Sequence, residues 1–557
     1  MEKQTVLAVV MMFVVILLWS TFFAPSPSAP PPPGEPVAEE SPRPEPAVEP
    51  VAPKTAEPAT PAVEPGRPAA EIRVDTGVAQ LVLSEQGAGV VAVNLLDYRQ
   101  SLEKGAPPVQ IAAVPGVDAL PLETRLRRQG RTESLKHVTF DAASTSDIHL
   151  SAREPTAALQ FRGALADGTV IQRHYRFRYG SYAFEVETQV EGVSPKEGDA
   201  MTLLWGPGLL PHQEEESNRR GKVGTFPRSY VGGKIFEDVP KEINAELTEE
   251  GPVGWIGLGN TYFAAVLIPH EPMAEAATVR RVRDDALEVG VRTSLAGGGT
   301  RQVVEVYAGP KSYRLLEAVD PSLSKVIDLG FFSVMARPML RLLVWVNDWV
   351  RNYGITIILV TILIKAVLWP LTQTSYKSMK GMQKLQPKMK ELQTMYKNDK
   401  QGLNRAMMEL YKEQKVNPLG GCLPMLLQIP FFFAFYNALL YSIELRHAPF
   451  ICWNANLPWV GHGICDLSTY DPSYITPLLM GASMFLQQRM TPTTSVDPMQ
   501  AKMMQFMPLM FLFFFLWAPA GLVIYWLVNN VLSIAQQTLI NRTGNEEAGR
   551  LRRSVSG

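Results

Sequence analysis

The chain has 557 residues, more than one ordinary domain holds, with a net charge of -1 and 46% hydrophobic residues. Three cysteines exclude a disulfide framework for the soluble part, and the near-neutral balance gives no reason to expect DNA as a partner. Apolar residues gather near the N-terminus and after residue 340, the pattern of a polytopic membrane protein with a large soluble insert.

Thr5–Phe23, preceded by Lys3, is an apolar run longer than the usual 7–15 residues of a signal h-region. It reads as an uncleaved anchor over residues 1–24; a cleaved signal, with Ala24 at its end, is the alternative. Residues 25–70 are rich in Pro, Ala and Glu and have too few large apolar side chains to fold. As extended polyproline-like chain, at about 3.1 Å per residue, such a tether reaches on the order of 140 Å.

From residue 71 the pattern changes to short alternating runs: AQLVLSE (79–85), HYRFRY (174–179), YAFEVETQV (182–190), TYFAAVLI (261–268) and QVVEVYAG (302–309). Period-2 alternation with Gly, Pro and Asp punctuation predicts antiparallel strands, in number enough for a large all-β sandwich over 71–325. It holds no paired catalytic carboxylates, metal-spaced His/Cys set or phosphate loop. His174 alternates with aromatics and reads as a strand-face residue. Tyr313–Val319 and Leu323–Leu329 read as helices leading to the membrane. Residues 326–351 follow, with Arg341 and Asp348 on a helix rich in Leu, Val and Trp. Trp345 and Trp349 lie four apart, as on an amphipathic helix in the interface plane.

Tyr353–Pro370 has the length of a membrane span and carries one charge, Lys365. Counted from Gly354 at about 1.5 Å per residue, Lys365 lies roughly 16 Å into a core roughly 30 Å thick. A cation there costs about 2.5–3.5 kcal/mol, so such residues usually face a bundle interior or a wet cavity. Snorkelling to the nearer headgroups is the plain alternative, but a Lys stem reaches only about 6 Å.

Segment 375–418 is polar and helical in character, with ten Lys and Arg against four Asp and Glu, a net +6. Lys377, Lys380, Lys384 and Lys388 are its first basic residues, and NDKQG (398–402) supplies a turn, so it reads as a helical hairpin. The positive-inside rule places this loop in the cytoplasm, and with it both chain termini, and puts the β-domain outside. Further spans read as Leu419–Leu445, Tyr474–Met490, Met499–Trp517 and Leu522–Ile540, six in all, with a cytoplasmic tail over 542–557. The outer loop Arg446–Pro472 is poor in Lys and Arg, in agreement. Its Cys452 and Cys465 are a candidate disulfide in an oxidising compartment. Free thiols, or a metal site with His447 or His462, are the other states open to them.

KVNPLGGCLPMLLQIP (415–430), ELRHAPF (444–450), TPLLMGASMF (476–485), DPMQ (497–500) with MPLMF (507–511), and WAPAGLVIYW (517–526) are similar to stretches of the bacterial YidC insertases. These are relatives of the mitochondrial and chloroplast insertases of oxidase and light-harvesting assembly. The resemblance covers nearly the whole chain. It implies a polytopic α-helical membrane protein with six transmembrane helices, a five-helix insertase core over 352–541 and a periplasmic β-sandwich. It also implies a hydrophilic groove, open to the cytoplasm and lipid, that holds a positive charge. The family usually has Arg at that position; Lys365 stands there here and keeps the charge without the guanidinium fork. Thr361 matches the family's Thr one turn earlier. Tyr525 and Trp526 match its aromatic pair, whose second member is usually Tyr. With Gln428, Asn529 and Ser533 these make the expected substrate groove. The third and fifth spans form the slide past which substrates move, here Pro424, Met425, Pro430, Phe433, Met503, Met507 and Met510.

The expected activity is that of a membrane insertase and chaperone for nascent inner-membrane proteins, not of an enzyme, with no cofactor and no metal. The implied partners are nascent membrane proteins, the Sec translocon, the phospholipid bilayer and, weakly through hairpin and tail, the ribosome. A chaperone or assembly scaffold without autonomous insertion is the nearest alternative. An ion-coupled transporter would show inverted repeats and more buried charges. An intramembrane protease would need His or Asp within the spans, which have neither.

Overall fold

The computed structural model describes residues 69–112, 120–209, 225–296, 300–397, 399–414, 419–457, 461–490 and 498–555. The expected anchor 1–24 and the tether up to residue 68 lie outside these residues.

Twenty strands between Glu71 and Pro310 form sheets of five, nine and six strands. Strand Arg301–Pro310 sits near the middle of the largest sheet, antiparallel to both Ala183–Glu191 and Phe263–Glu271. Phe263–Glu271 is buried on both faces through its first seven residues, as a central strand between covered faces must be. The nine- and six-stranded sheets face each other, and Trp205, Trp255, Phe161 and Phe177 are among the fully buried side chains of the core.

Alternation in VIQRHYRFR points Ile171, Arg173, Tyr175 and Phe177 to one face, all buried; His174 lies on the other face. Arg173 is therefore a cation inside an apolar core. Its guanidinium donates to the backbone oxygens of Gly87 (3.3 Å), Ala88 (3.0 Å) and Leu122 (2.9 Å), and to the hydroxyls of Thr188 and Thr124. The side chain ties three separated segments together, and an Arg at an inward strand position was its sequence signal.

Helix α1 (Tyr313–Val319) leads on from the β-domain. The segment read as a helix over Leu323–Leu329 is instead a 3-10 turn, Pro321–Val326, started by Pro321 and capped by the Asp320 carboxylate. Next come α2 (Ser333–Val350), α3 (Tyr353–Val367), α4 (Trp369–Met395), α5 (Lys400–Glu413), α6 (Leu419–Leu440), α7 (Ile475–Met490), α8 (Pro498–Phe515) and α9 (Ala520–Val555). On α2, Leu340, Leu343 and Val344 are buried while Arg341, Trp345 and Trp349 are exposed, the amphipathic split expected for an interfacial helix.

Among the expected spans, three boundaries move by three residues or more. The lysine helix ends at Val367 rather than Pro370, because Pro370 has no N–H to donate and opens a new helix one residue beyond Leu368. The third apolar helix ends at Leu440 rather than Leu445, and Ile443–Leu445 forms a separate 3-10 turn. Residues beyond Ile540, expected as a tail, continue α9 to Val555, since no proline interrupts them.

Among the described residues, Ala520–Arg542 is long and apolar enough to cross a membrane by itself. Tyr353–Val367, Ile429–Leu440 and Phe506–Phe515 are shorter apolar helices. The bundle exposes Leu359, Leu363 and Val367 of α3, Leu479 and Leu486 of α7, and Leu509 and Phe513 of α8. An apolar exterior of this extent marks a surface that meets lipid or protein rather than water.

Replacing Arg173 with Met leaves the carbonyls of Gly87, Ala88 and Leu122 buried without this donor. The expected loss is about 3 kcal/mol or more of β-domain stability. It is read as a lowered unfolding midpoint in the fluorescence of Trp205 and Trp255. An unchanged midpoint would show that Arg173 does not organise the core.

Candidate functional site

The start of α3 is fixed by the ELRHAPF loop. Asn352 caps the helix by accepting from the N–H of Ile355 (3.1 Å), and its Nδ2 donates to the Phe450 carbonyl (3.0 Å). Gly354 lies so close to the Phe450 ring that a Cβ would sit 2.1 Å from it, which admits only glycine.

Eleven residues on from Gly354, Lys365 is 7% exposed. Its Nζ donates to Asn529 Oδ1 (3.1 Å) and Ser533 Oγ (2.7 Å), both on α9. Asn529 and Ser533 are four apart, so one face of α9 presents both acceptors to the ammonium. No carboxylate is ion-paired with Lys365 among the described residues. A buried cation held by neutral oxygens keeps its positive field for a further anionic partner.

One turn further along α9, Gln536 donates to the Trp369 carbonyl (3.3 Å) and Thr372 Oγ1 (2.8 Å) on α4. Gln537 donates to the Met490 carbonyl at the end of α7 (2.6 Å). The sequence reading did not assign these two glutamines; their i, i+3 and i+4 spacing from Ser533 was the available signal.

The opposite end of α9 is aromatic. Tyr525 and Trp526, expected in the groove, engage Phe435 and Phe432 of α6, with ring centroids 4.7 Å apart in both pairs. Trp526 also meets Phe511 and Phe515 of α8. That end adjoins the loop 446–472, where the N–H groups of Ala520 and Gly521 donate to Thr469 and Leu467. The bundle thus has an aromatic layer toward the β-domain and a polar layer beginning about 6 Å deeper, at Asn529.

Thr361 is buried but donates to its own helix, to the Ile357 carbonyl (2.6 Å), and contributes backing rather than a free hydroxyl. The side chains of Gln428, Pro424, Met425, Met503, Lys377 and Lys380 lie outside the described residues. Pro430 and Met507 are half-buried, while Phe433 and Met510 are exposed on α6 and α8. Lys384 and Lys388 are exposed on α4, which packs on α5 through a small core of Leu385, Met389, Met407 and Leu410. Cys452 and Cys465 are joined by a disulfide within the loop 446–472, with Cα atoms 4.8 Å apart. No cluster of three metal-ligating side chains occurs among the described residues.

Two family models match the chain, and they meet within α2. The model for the YidC periplasmic domain matches residues 71–342, and that for the 60Kd inner membrane protein matches 345–547. The membrane protein insertase YidC of Geobacter sulfurreducens is 38% identical over 476 residues, covering 84% of this chain and 86% of that protein. The chain belongs to the YidC family of membrane protein insertases. The YidC of Syntrophus aciditrophicus is 39% identical over 484 residues, 85% of each chain. A crystal structure of an active YidC insertase with its first transmembrane domain resolved matches over 84% of this chain and 92% of that one. Its TM-score is 0.35 at 17% identity. As a YidC-family insertase the chain is not an enzyme.

The neutral cradle around Lys365 has a stability consequence. Asn529→Leu combined with Ser533→Ala leaves an uncompensated ammonium, an expected cost of about 3 kcal/mol. Lys365→Met keeps the volume and removes the charge, at less than about 1.5 kcal/mol. Unfolding midpoints in detergent separate them; the reverse ranking would place Lys365 in water rather than in the cradle.

Proposed function

We propose that this chain inserts nascent membrane proteins into the inner membrane through a polar groove centred on Lys365, without ATP. The observation that carries the reading is the Lys365 ammonium, buried and, among the described residues, held by neutral oxygens of Asn529 and Ser533. In this reading the core 352–541 places five helices in the bilayer and the first span, 1–24, anchors the chain. The β-domain 71–325 lies in the periplasm, and the hairpin 375–418 and both termini lie in the cytoplasm.

A polar, often acidic, segment of the client enters from the cytoplasmic side. Lys365, Asn529, Ser533 and Gln428 replace part of its hydration and lower the several-kcal/mol cost of taking polar groups into hydrocarbon. The aromatic layer of Tyr525, Trp526 and Phe432 closes the periplasmic end. The client's apolar segment leaves sideways along Phe433, Met507 and Met510, where flexible Met side chains accommodate varied sequences. Burial of that segment in lipid drives the step, so no covalent chemistry is required. Lys384 and Lys388 on the exposed hairpin meet client, anionic lipid or ribosome, and the Sec translocon is a partner for larger clients.

Proteoliposomes containing the pure protein and a small client with a charged outer tail test this. Lys365→Arg is expected to retain insertion within about twofold. Lys365→Ala is expected to lose about tenfold, equivalent to about 1.4 kcal/mol of lost charge stabilisation. Protease-protected client without ATP supports autonomous insertion. Equal activity of Ala and wild type would remove Lys365 from the mechanism, and protection only with an added channel would leave a chaperone.

A further inference from the structure

Where the β-domain meets the bundle, a cavity of about 660 Å³, its open mouth included, lies over the paired strands Phe226–Val231 and Val253–Gly259 and reaches Tyr441, the residue after α6. Its wall carries donors that lack acceptors among the described residues. Asn260 is 3% exposed; its Oδ1 accepts from the N–H groups of Tyr262 (3.1 Å) and Phe263 (2.8 Å), and its Nδ2 is buried and unpaired. Arg228 gives Nη2 to Glu237 and stands 3.6 Å from Asp328, while its Nε and Nη1 are buried without acceptors. Lys311, 6% exposed, donates to the Asn260 carbonyl at 2.7 Å.

A second guanidinium, and third cation, belongs to the same region. Arg337 of α2 has a buried, unpaired Nε. Burial, and then the charge of Arg228, hold it below its ordinary pKa.

Unpaired donors on cationic side chains call for anionic oxygens. The carboxylates of Glu237 and Asp328 at the same wall disfavour a bare polyanion and suit a ligand that also brings hydroxyl or ammonium donors. A phosphodiester headgroup has both. Location selects its source. Asn437 of α6 donates to the Leu329 carbonyl (2.9 Å), which seats the Asp328 segment on the end of an apolar helix. Helix α2, which carries Arg337, exposes Val334, Trp345 and Trp349.

We propose that this cavity binds the phosphodiester headgroup of an anionic phospholipid of the outer leaflet, with Arg228 and Asn260 donating to its phosphate oxygens. Lys311 and Arg337 supply further positive field, and Glu237 and Asp328 accept from the glycerol hydroxyls. The lipid would fasten the β-domain to the membrane surface beside the bundle. The proposal rests on the membrane placement given above but not on the role of Lys365, so the two fail separately.

Native mass spectrometry of the full chain in detergent, titrated with phosphatidylglycerol, tests it. Asn260→Asp keeps the acceptor for Tyr262 and Phe263 while replacing the free donor with a negative charge. It is expected to raise the apparent Kd of the first bound lipid tenfold or more, with an unfolding midpoint near wild type when lipid-free. Arg228→Gln should weaken binding in the same direction, and carries the comparison if Asn260→Asp does not fold. Phosphatidylcholine should bind more weakly to wild type, and millimolar inorganic phosphate should not displace phosphatidylglycerol. Unchanged phosphatidylglycerol affinity in the folded variants, equal binding of phosphatidylcholine, or full displacement by phosphate would each overturn the proposal; the last would assign the cavity to soluble phosphate.

Discussion

The Lys365 ammonium, donated to Asn529 and Ser533, is the contact on which the rest of the bundle depends. A cation this deep in an apolar helix is tolerated only where polar groups meet it. That requirement brings α3 against α9 and sets the rotation of both. It also separates the bundle into layers, because α9 cannot present Asn529 and Ser533 to α3 without aiming Tyr525 and Trp526 at the aromatic rings of α6 and α8. Gln536 extends the polar layer to Trp369 and Thr372, at the break where α3 gives way to the hairpin. The charge, the hairpin and the inner end of α9 are thereby parts of one polar network.

The β-domain bears on this bundle through specific contacts rather than by tethering alone. Arg446 donates to the Arg99 carbonyl (2.9 Å), lies over the ring of Phe263 and belongs to the same ELRHAPF loop whose Phe450 packs on Gly354. Arg341 of α2 pairs with Glu317 of α1 at 3.0 Å. The exposed Arg341–Glu317 pair contributes little, about 0–1 kcal/mol, whereas Arg446 is buried. Their effect is orientation: one loop contacts both the β-domain and the start of the charged helix. The buried Arg173 plays the corresponding part inside the sheets.

Much of this was legible in the sequence, for physical reasons that can be named. Alternation over 182–190 and 302–309 marked strands because one side chain in two must face a core. Lys365 stood out because charge is rare in apolar runs, and Asn529 and Ser533 because polar residues are costly there. The direction of Tyr525 and Trp526 was not legible. A family match supplies residue identity, but whether a ring lines a groove or packs on Phe432 depends on helix rotation, which the near-uniform hydrophobicity of α6 and α8 does not encode. The break at Leu368 follows from Pro370, yet an apolar run reads straight through it. Arg173 showed in the sequence only as an Arg at an inward strand position; its acceptors, backbone carbonyls and hydroxyls from distant segments, follow no local pattern. The free donors of Arg228 and Asn260 were invisible for the same reason.

The central claim is that water and client reach Lys365 from the cytoplasmic side while the aromatic layer seals the other. The most direct measurement puts a thiol at that position, Lys365→Cys, with Cys422→Ser and the Cys452–Cys465 bond intact, in vesicles of each orientation. A membrane-impermeant maleimide is predicted to label residue 365 in inside-out vesicles and not in right-side-out ones, and a stalled client is predicted to block the labelling. Labelling from the periplasmic side, or from neither side, would contradict the account.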